Sequence, residues 1–186
     1  MKNLFSIVSF VILIFLLGSC SSKNKIDKEV KEFVNARINL PLDSMVSFSA
    51  KGPWEILGKA TYIYVMYIDS TSCSDCAISH LSDWAQLDIV EHHNLLKYAF
   101  IIAPKRSQYY HISAKIDKDF IFKEYVFLDT LGIFERSNPM LPSNKLLHTF
   151  MIDRQKKVRL VGNPTSNRRI IGLLSKFLKQ GAKNNE

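Results

Sequence analysis

Thr61-Tyr-Ile-Tyr-Val-Met-Tyr-Ile68, then Asp69-Ser-Thr-Ser72, then Cys73-Ser-Asp-Cys76, is the stretch whose reading decides the fold. Its first eight residues are β-branched, aromatic and almost continuously apolar, the pattern of a strand buried on both faces. Asp69 to Ser72 is a polar turn, and Ala77, Ile78, Leu81, Trp84 and Ala85 then mark one face of a helix starting near Cys73. A strand therefore delivers two cysteines, three residues apart, to the first turn of a helix. Free N–H groups at such a start favour a thiolate, lowering a cysteine pKa from about 8.5 into the range of roughly 3.5 to 7.5. On this reading Cys73 is the exposed nucleophile, and Cys76 points back toward the helix body, placed to attack a mixed disulfide and release product.

Working outward, Tyr98 to Ala103 reads as a second buried strand ended by Pro104, and Tyr109, Ile112 and Ile116 suit a helix between Ser107 and Lys118. Phe120 to Leu128 is a short strand region. Leu147 to Ile152 and Val158 to Val161 flank Asp153-Arg-Gln-Lys-Lys157 as a hairpin. Asn167 or Ser166 caps a last helix with Ile170, Leu173, Leu174, Phe177 and Leu178 as its stripe, which Gly181 can close. Before the central strand, Ile26, Val30, Phe33, Val34 and Ile38 recur at helical spacing until Pro41. Residues 39 to 59 read as loop with at most a short strand around Met45 to Phe48. This order predicts an α/β layered domain: a central mixed sheet flanked by helices, with an N-terminal helical extension.

The 186 residues carry 47% hydrophobic side chains, 7 Gly and 6 Pro, which is enough apolar mass for one ordinary core and excludes a disordered or collagenous chain. With 25 Lys+Arg against 17 Asp+Glu the net charge is +8, but the basic residues are scattered. No basic stripe with interleaved aromatics is present, so nucleic acid is not an expected partner.

The N-terminus has its own signature. A positive start at Lys2 precedes an apolar run from Leu4 to Leu17, shorter than the roughly 20 residues a membrane-spanning helix needs. Leu17-Gly-Ser-Cys20 follows, and it resembles the lipobox of bacterial lipoproteins, which implies cleavage before Cys20 and acylation of that residue. Residues 1–19 are then a signal peptide, residues 20–54 a lipidated tether and extension, and residues 55–186 the folded domain. Several acyl chains on Cys20 would anchor the protein stably to a lipid membrane. Ser21 after the cysteine is similar to the sorting signal of outer-membrane lipoproteins in Gram-negative cells, which implies a domain facing the periplasm. Of 3 cysteines, only Cys73 and Cys76 would remain as thiols, in an oxidising compartment. A loop this short constrains the unfolded chain little, so chemistry is the better reason for the pair.

Cys73-Ser-Asp-Cys76 after a buried strand, with Thr149-Phe-Met-Ile-Asp153 and Lys157-Val-Arg-Leu-Val-Gly162 as a later hairpin, resembles the thioredoxin-like superfamily over roughly residues 55 to 180. The likeness is to its exported, membrane-attached thiol-disulfide oxidoreductases of the TlpA-like kind. It implies exchange of electrons with protein thiols and disulfides and, as its only redox group, a Cys73–Cys76 disulfide with no further cofactor. A membrane electron donor is a further implied partner. The chain departs from the family in three places: Ser72 stands where a tryptophan is usual, Ser79 where a glutamate is common, and Leu147-His148 where a cis-proline is expected. A cis bond before a non-proline residue costs about 2.5 to 4 kcal/mol, so a trans peptide is expected there.

Two residues are candidate modulators. His148 at the proline position would sit beside the thiols, where an imidazolium favours the thiolate, or it is a strand-end histidine bonded to backbone. Asp75 either disfavours the neighbouring thiolate or is a solvated helix-start acid. Asp69 is a strand-end turn former or a proton shuttle. Two other functional classes stay open at this point. Cys73, Cys76 and His80 lie at i, i+3 and i+7, and with His148 they would make a thiolate-imidazole site for Cu(I) or Zn(II). Alternatively, a lipoprotein of this fold binds a partner without turnover.

Overall fold

The computed structural model describes residues 24–87, 95–119 and 122–183. The leader, Cys20 and the His92-His93-Asn94 stretch, read from sequence as an exposed helix end, lie outside them. Helix α1 covers residues 24–33. Strand β1 (Val46–Ser47) and helix α2 (Pro53–Leu57) precede β2 (Tyr62–Ile68), α3 (Ser74–Ser79), β3 (Leu96–Ile102) and α4 (Tyr109–Asp119). The chain then forms β4 (Val126–Leu128), α5 (Ile133–Ser137), β5 (Thr149–Asp153), β6 (Val158–Val161) and α6 (Arg168–Lys183).

The strands form one six-stranded sheet in the order β1-β4-β3-β2-β5-β6. β2, β3 and β4 run parallel, with Tyr62 opposite Leu96 and Phe100 opposite Val126. β5 returns antiparallel beside β2, Thr149 opposite Met66, and β6 pairs antiparallel with β5. Both faces of the sheet are covered, which is why β2, the end of β3 and β4 read as nearly unbroken apolar runs. On one face Val65, Tyr67, Ala99, Ile101, Phe150 and Ile152 pack with Phe33, Leu57 and Phe134 from α1, α2 and α5. On the other, Tyr64, Ile68, Phe100, Ile102 and Met151 pack with Ile78, Ile112, Ile116, Leu174 and Leu178 from α3, α4 and α6. This is a mixed sheet flanked by helices, with the strand order and helix placement of a thioredoxin-like fold.

Three local expectations are corrected. The first helix does not run on to Ile38: Asn35 adopts a left-handed φ of 71°, which ends it, and Ile38 is buried from an extended segment whose neighbour Arg37 bridges to Lys157. Gly181 does not close the last helix, which continues to Lys183; a Cβ there would come within 3.1 Å of the Tyr62 ring, so glycine lets α6 lie close on β2. The helix after Cys73 is also short. It changes to a 3-10 turn from Leu81 to Gln86, so only its first six residues are α-helical. From the N-terminal extension, Phe33, Ile38, Leu40, Leu42 and Met45 are all buried in the core.

This topology puts the carboxyl ends of β2, β3 and β4 and the start of β5 along one edge of the sheet. Asp69 to Cys76, Pro104, Asp129 and His148 all follow from that edge.

Candidate active site

The turn leaving β2 is held by a buried carboxylate. Asp69 accepts hydrogen bonds from the Thr71 amide and hydroxyl, both at 2.7 Å, from the Ser72 amide at 3.1 Å and from Lys145 Nζ at 2.9 Å. Lys145 also donates to the Thr71 hydroxyl. Burial alone would push this carboxyl up, but the hydrogen bonds from Thr71 and Lys145 outweigh it and hold the pKa at about 2. Asp69 is thus an ionised turn former, 7% exposed, rather than a proton carrier.

The turn delivers Cys73 as the N-cap of α3. Its backbone is extended, and its sulfur accepts a hydrogen bond from the Cys76 amide at 3.2 Å. Cys73 and Cys76 are joined by a disulfide with their Cα atoms 5.3 Å apart, inside the usual range of about 4.4 to 6.8 Å. The burial pattern of α3 differs from expectation. Both cysteines are exposed, and it is Ser74 and Ile78, one turn apart, that face the core. Cys76 is therefore not withdrawn into the helix body. What distinguishes the two sulfurs is the capping amide, which points at Cys73 alone. With α3 this short, that local N–H replaces a long helix dipole as the feature that favours charge on Cys73.

Asp75, between the cysteines, reaches out of α3 to α4. Lys115 Nζ lies 3.1 Å and His111 Nε2 3.2 Å from its Oδ1. The hydrogen bond from Lys115, with the contact to His111, holds the Asp75 carboxyl below its ordinary range. Lys115 also reaches the Asp75 carbonyl at 3.4 Å and the Ser79 hydroxyl at 3.3 Å, and Ser79 in turn donates to the Asp75 carbonyl at 3.0 Å. Ser79 thus completes a polar cluster on this flank.

His148 occupies the turn into β5, where no peptide bond among the described residues is cis. Its carbonyl accepts from the Tyr67 amide at 2.9 Å. The ring packs against Tyr67 with centroids 5.5 Å apart, and Nε2 bonds the Pro142 carbonyl at 2.9 Å, which makes Nε2 the protonated nitrogen. No hydrogen bond joins His148 to either cysteine, and its buried Nδ1 has no partner. The backbone-bonded alternative describes the geometry. His148 also lines a cavity of about 330 Å³ with Asp69, Glu135, Asn138 and Lys145, behind the cysteine turn.

The four residues of the metal-binding alternative do not converge. His80 pairs with Asp83 at 3.2 Å, His148 is held by Pro142, and the cysteines are bonded to each other. No group of three or more His, Cys, Asp or Glu side chains among the described residues could hold an ion. Conversely, sequence reading did not place Lys115, His111 or Lys145 near the cysteines. The hint available was the helical phase of α4, which puts His111 and Lys115 four residues apart on one face.

No family model matches the chain, and no curated protein matches it. Among solved structures, the exposed lipoprotein thioredoxin Etrx1 of Streptococcus pneumoniae strain TIGR4 is 14% identical with a TM-score of 0.46, over 73% of this chain and 96% of that one. A conserved protein of unknown function from Bacteroides fragilis is 16% identical with a TM-score of 0.43, over 76% of this chain and 96% of that one. At this overlap the likenesses carry no functional argument.

Proposed function

We propose that the protein is a thiol-disulfide oxidoreductase that exchanges electrons with protein thiols through Cys73 and Cys76. One observation carries the reading: an exposed disulfide at the start of α3, on the edge of the sheet where β2 ends, with a backbone N–H aimed at Cys73 and, among the described residues, none at Cys76. In the reducing direction the Cys73 thiolate attacks a substrate disulfide, forming a mixed disulfide and releasing one substrate thiolate. Cys76 then attacks Cys73, closing the protein disulfide and releasing the second. Two electrons pass to the substrate, and the oxidising direction is the same sequence reversed. The disulfide is the only redox group this chemistry requires.

The Leu17-Gly-Ser-Cys20 signature supports anchoring by acylated Cys20, and Ser21 supports a periplasm-facing outer-membrane location. A membrane electron donor would keep the pair reduced. No helix among the described residues is long and apolar enough to cross a membrane.

The test uses membrane fractions from cells expressing variants, run on non-reducing gels. Cys76→Ser should accumulate reductant-sensitive complexes with substrate proteins, because no internal thiol resolves the Cys73 mixed disulfide, whereas Cys73→Ser should trap few. Equal trapping by both variants would contradict the assigned roles, and none by either would remove the oxidoreductase reading.

A further inference from the structure

Asp75 presents a problem for the chemistry just described. A carboxylate inside the motif, one residue from Cys76 and two from Cys73, repels a thiolate formed on reduction. The structure places a cation against it from a different element. Lys115 Nζ is bonded to Asp75 Oδ1, to the Asp75 carbonyl and to the Ser79 hydroxyl, and His111 makes a second contact to the same Oδ1. Two other charged pairs lie close in the chain to the motif or its turn: His80 faces Asp83, and Asp69 faces Lys145. Among the described residues Lys115 makes no ion pair apart from the one with Asp75.

We propose that α4 acts as an electrostatic clamp on the motif: Lys115, seconded by His111, holds and neutralises Asp75, and so sets how readily the Cys73–Cys76 disulfide is reduced. The proposal rests on the oxidoreductase reading. Lys115 and His111 are positioning residues, since neither bonds a sulfur. Reduction by glutathione consumes two glutathione thiols and yields one glutathione disulfide and the reduced pair, with Cys76 as thiol, Cys73 as thiolate and one proton released to the buffer. Charge that disfavours this thiolate lowers the equilibrium constant, and charge that offsets Asp75 raises it.

Purified full-length protein, equilibrated at pH 7 in glutathione buffers and quenched by alkylation, reads this constant. Lys115→Gln should lower it about threefold, or about 14 mV at 29.6 mV per tenfold change, and should slow alkylation of Cys73 in the reduced protein. Lys115→Arg should keep the wild-type value. Asp75→Asn/Lys115→Gln should return to it, because no carboxylate then needs neutralising. A merely structural role predicts otherwise: the double variant, lacking the same tie between α3 and α4, would stay displaced. A double variant that remains low, or a Lys115→Gln constant equal to wild type, would overturn the clamp. Wild type that reaches no reversible equilibrium with glutathione would instead remove the oxidoreductase reading, so the two failures are distinguishable.

Discussion

Asp69 and Asp75 lie before and after Cys73 in the chain, each gripped by a lysine from another element, yet they do different work. Asp69 is 7% exposed and accepts from two backbone amides, a hydroxyl and Lys145, so it shapes the turn that aims Cys73. Asp75 lies at the surface with a side chain 37% exposed, and its partners are two side chains of α4. Burial separates the roles. A charge removed from water must be fully bonded or it destabilises the fold, while one left in water contributes little to stability and acts mainly through its field.

Replacing each aspartate should expose that contrast. Asp69→Ala takes the acceptor from the Thr71 amide and from Lys145, while the Ser72 amide keeps the residue 69 carbonyl, and should cost about 2 kcal/mol, measured as a lowered urea midpoint at unchanged slope. Asp75→Ala should leave the midpoint where it is. If both variants lose stability equally, burial is not what separates them.

Acid should act through the buried member. The folded-state pKa of Asp69, about 2, lies below its ordinary 3.8, so its contribution is fully present above the ordinary value and is lost as pH falls through about 2. Unfolding free energy should therefore decline from pH 5 to pH 2, by on the order of 2 kcal/mol from this group. Lys145→Met should flatten the decline. A pH profile untouched by Lys145→Met would mean the ion pair contributes nothing to it.

His148 sharpens the comparison from the other flank. His148→Ala removes the packing on Tyr67 and the bond to Pro142, and should cost about 1 to 2 kcal/mol. It should leave the rate of Cys73 alkylation at pH 7 unchanged, because no bond links the ring to the sulfurs. A slowed rate would restore the imidazole to the role of thiolate modulator.

How far the sequence anticipated these arrangements depends on the range of each interaction. β2 and β3 were legible because strands buried on both faces are largely apolar, the β5–β6 hairpin because two apolar runs flank a polar turn, and Asn167 was legible as a cap because its side chain bonds the Arg169 amide two residues on. The cysteine pair was legible because its spacing and its place after β2 are local. β1, with two residues, and α5, with five, are too short to show a period. The clamp was illegible for a different reason: Asp75 and Lys115 are 40 residues apart, and exposed polar side chains carry no pattern that announces a partner. The exposure of Cys76 was illegible because the buried phase of a helix this short is set by Ser74, a polar residue that gives no hydrophobic signal.

The central claim is that Cys73 and Cys76 form a reversible two-electron couple in the folded protein. Its most direct test is redox titration of purified protein in glutathione buffers, read as the mass of the alkylated peptide carrying both residues. The account predicts one transition following a two-electron curve, with both cysteines alkylated together and the same midpoint approached from either side. A disulfide that resists reduction until the protein unfolds, or one that does not re-form when the buffer is made oxidising, would contradict it.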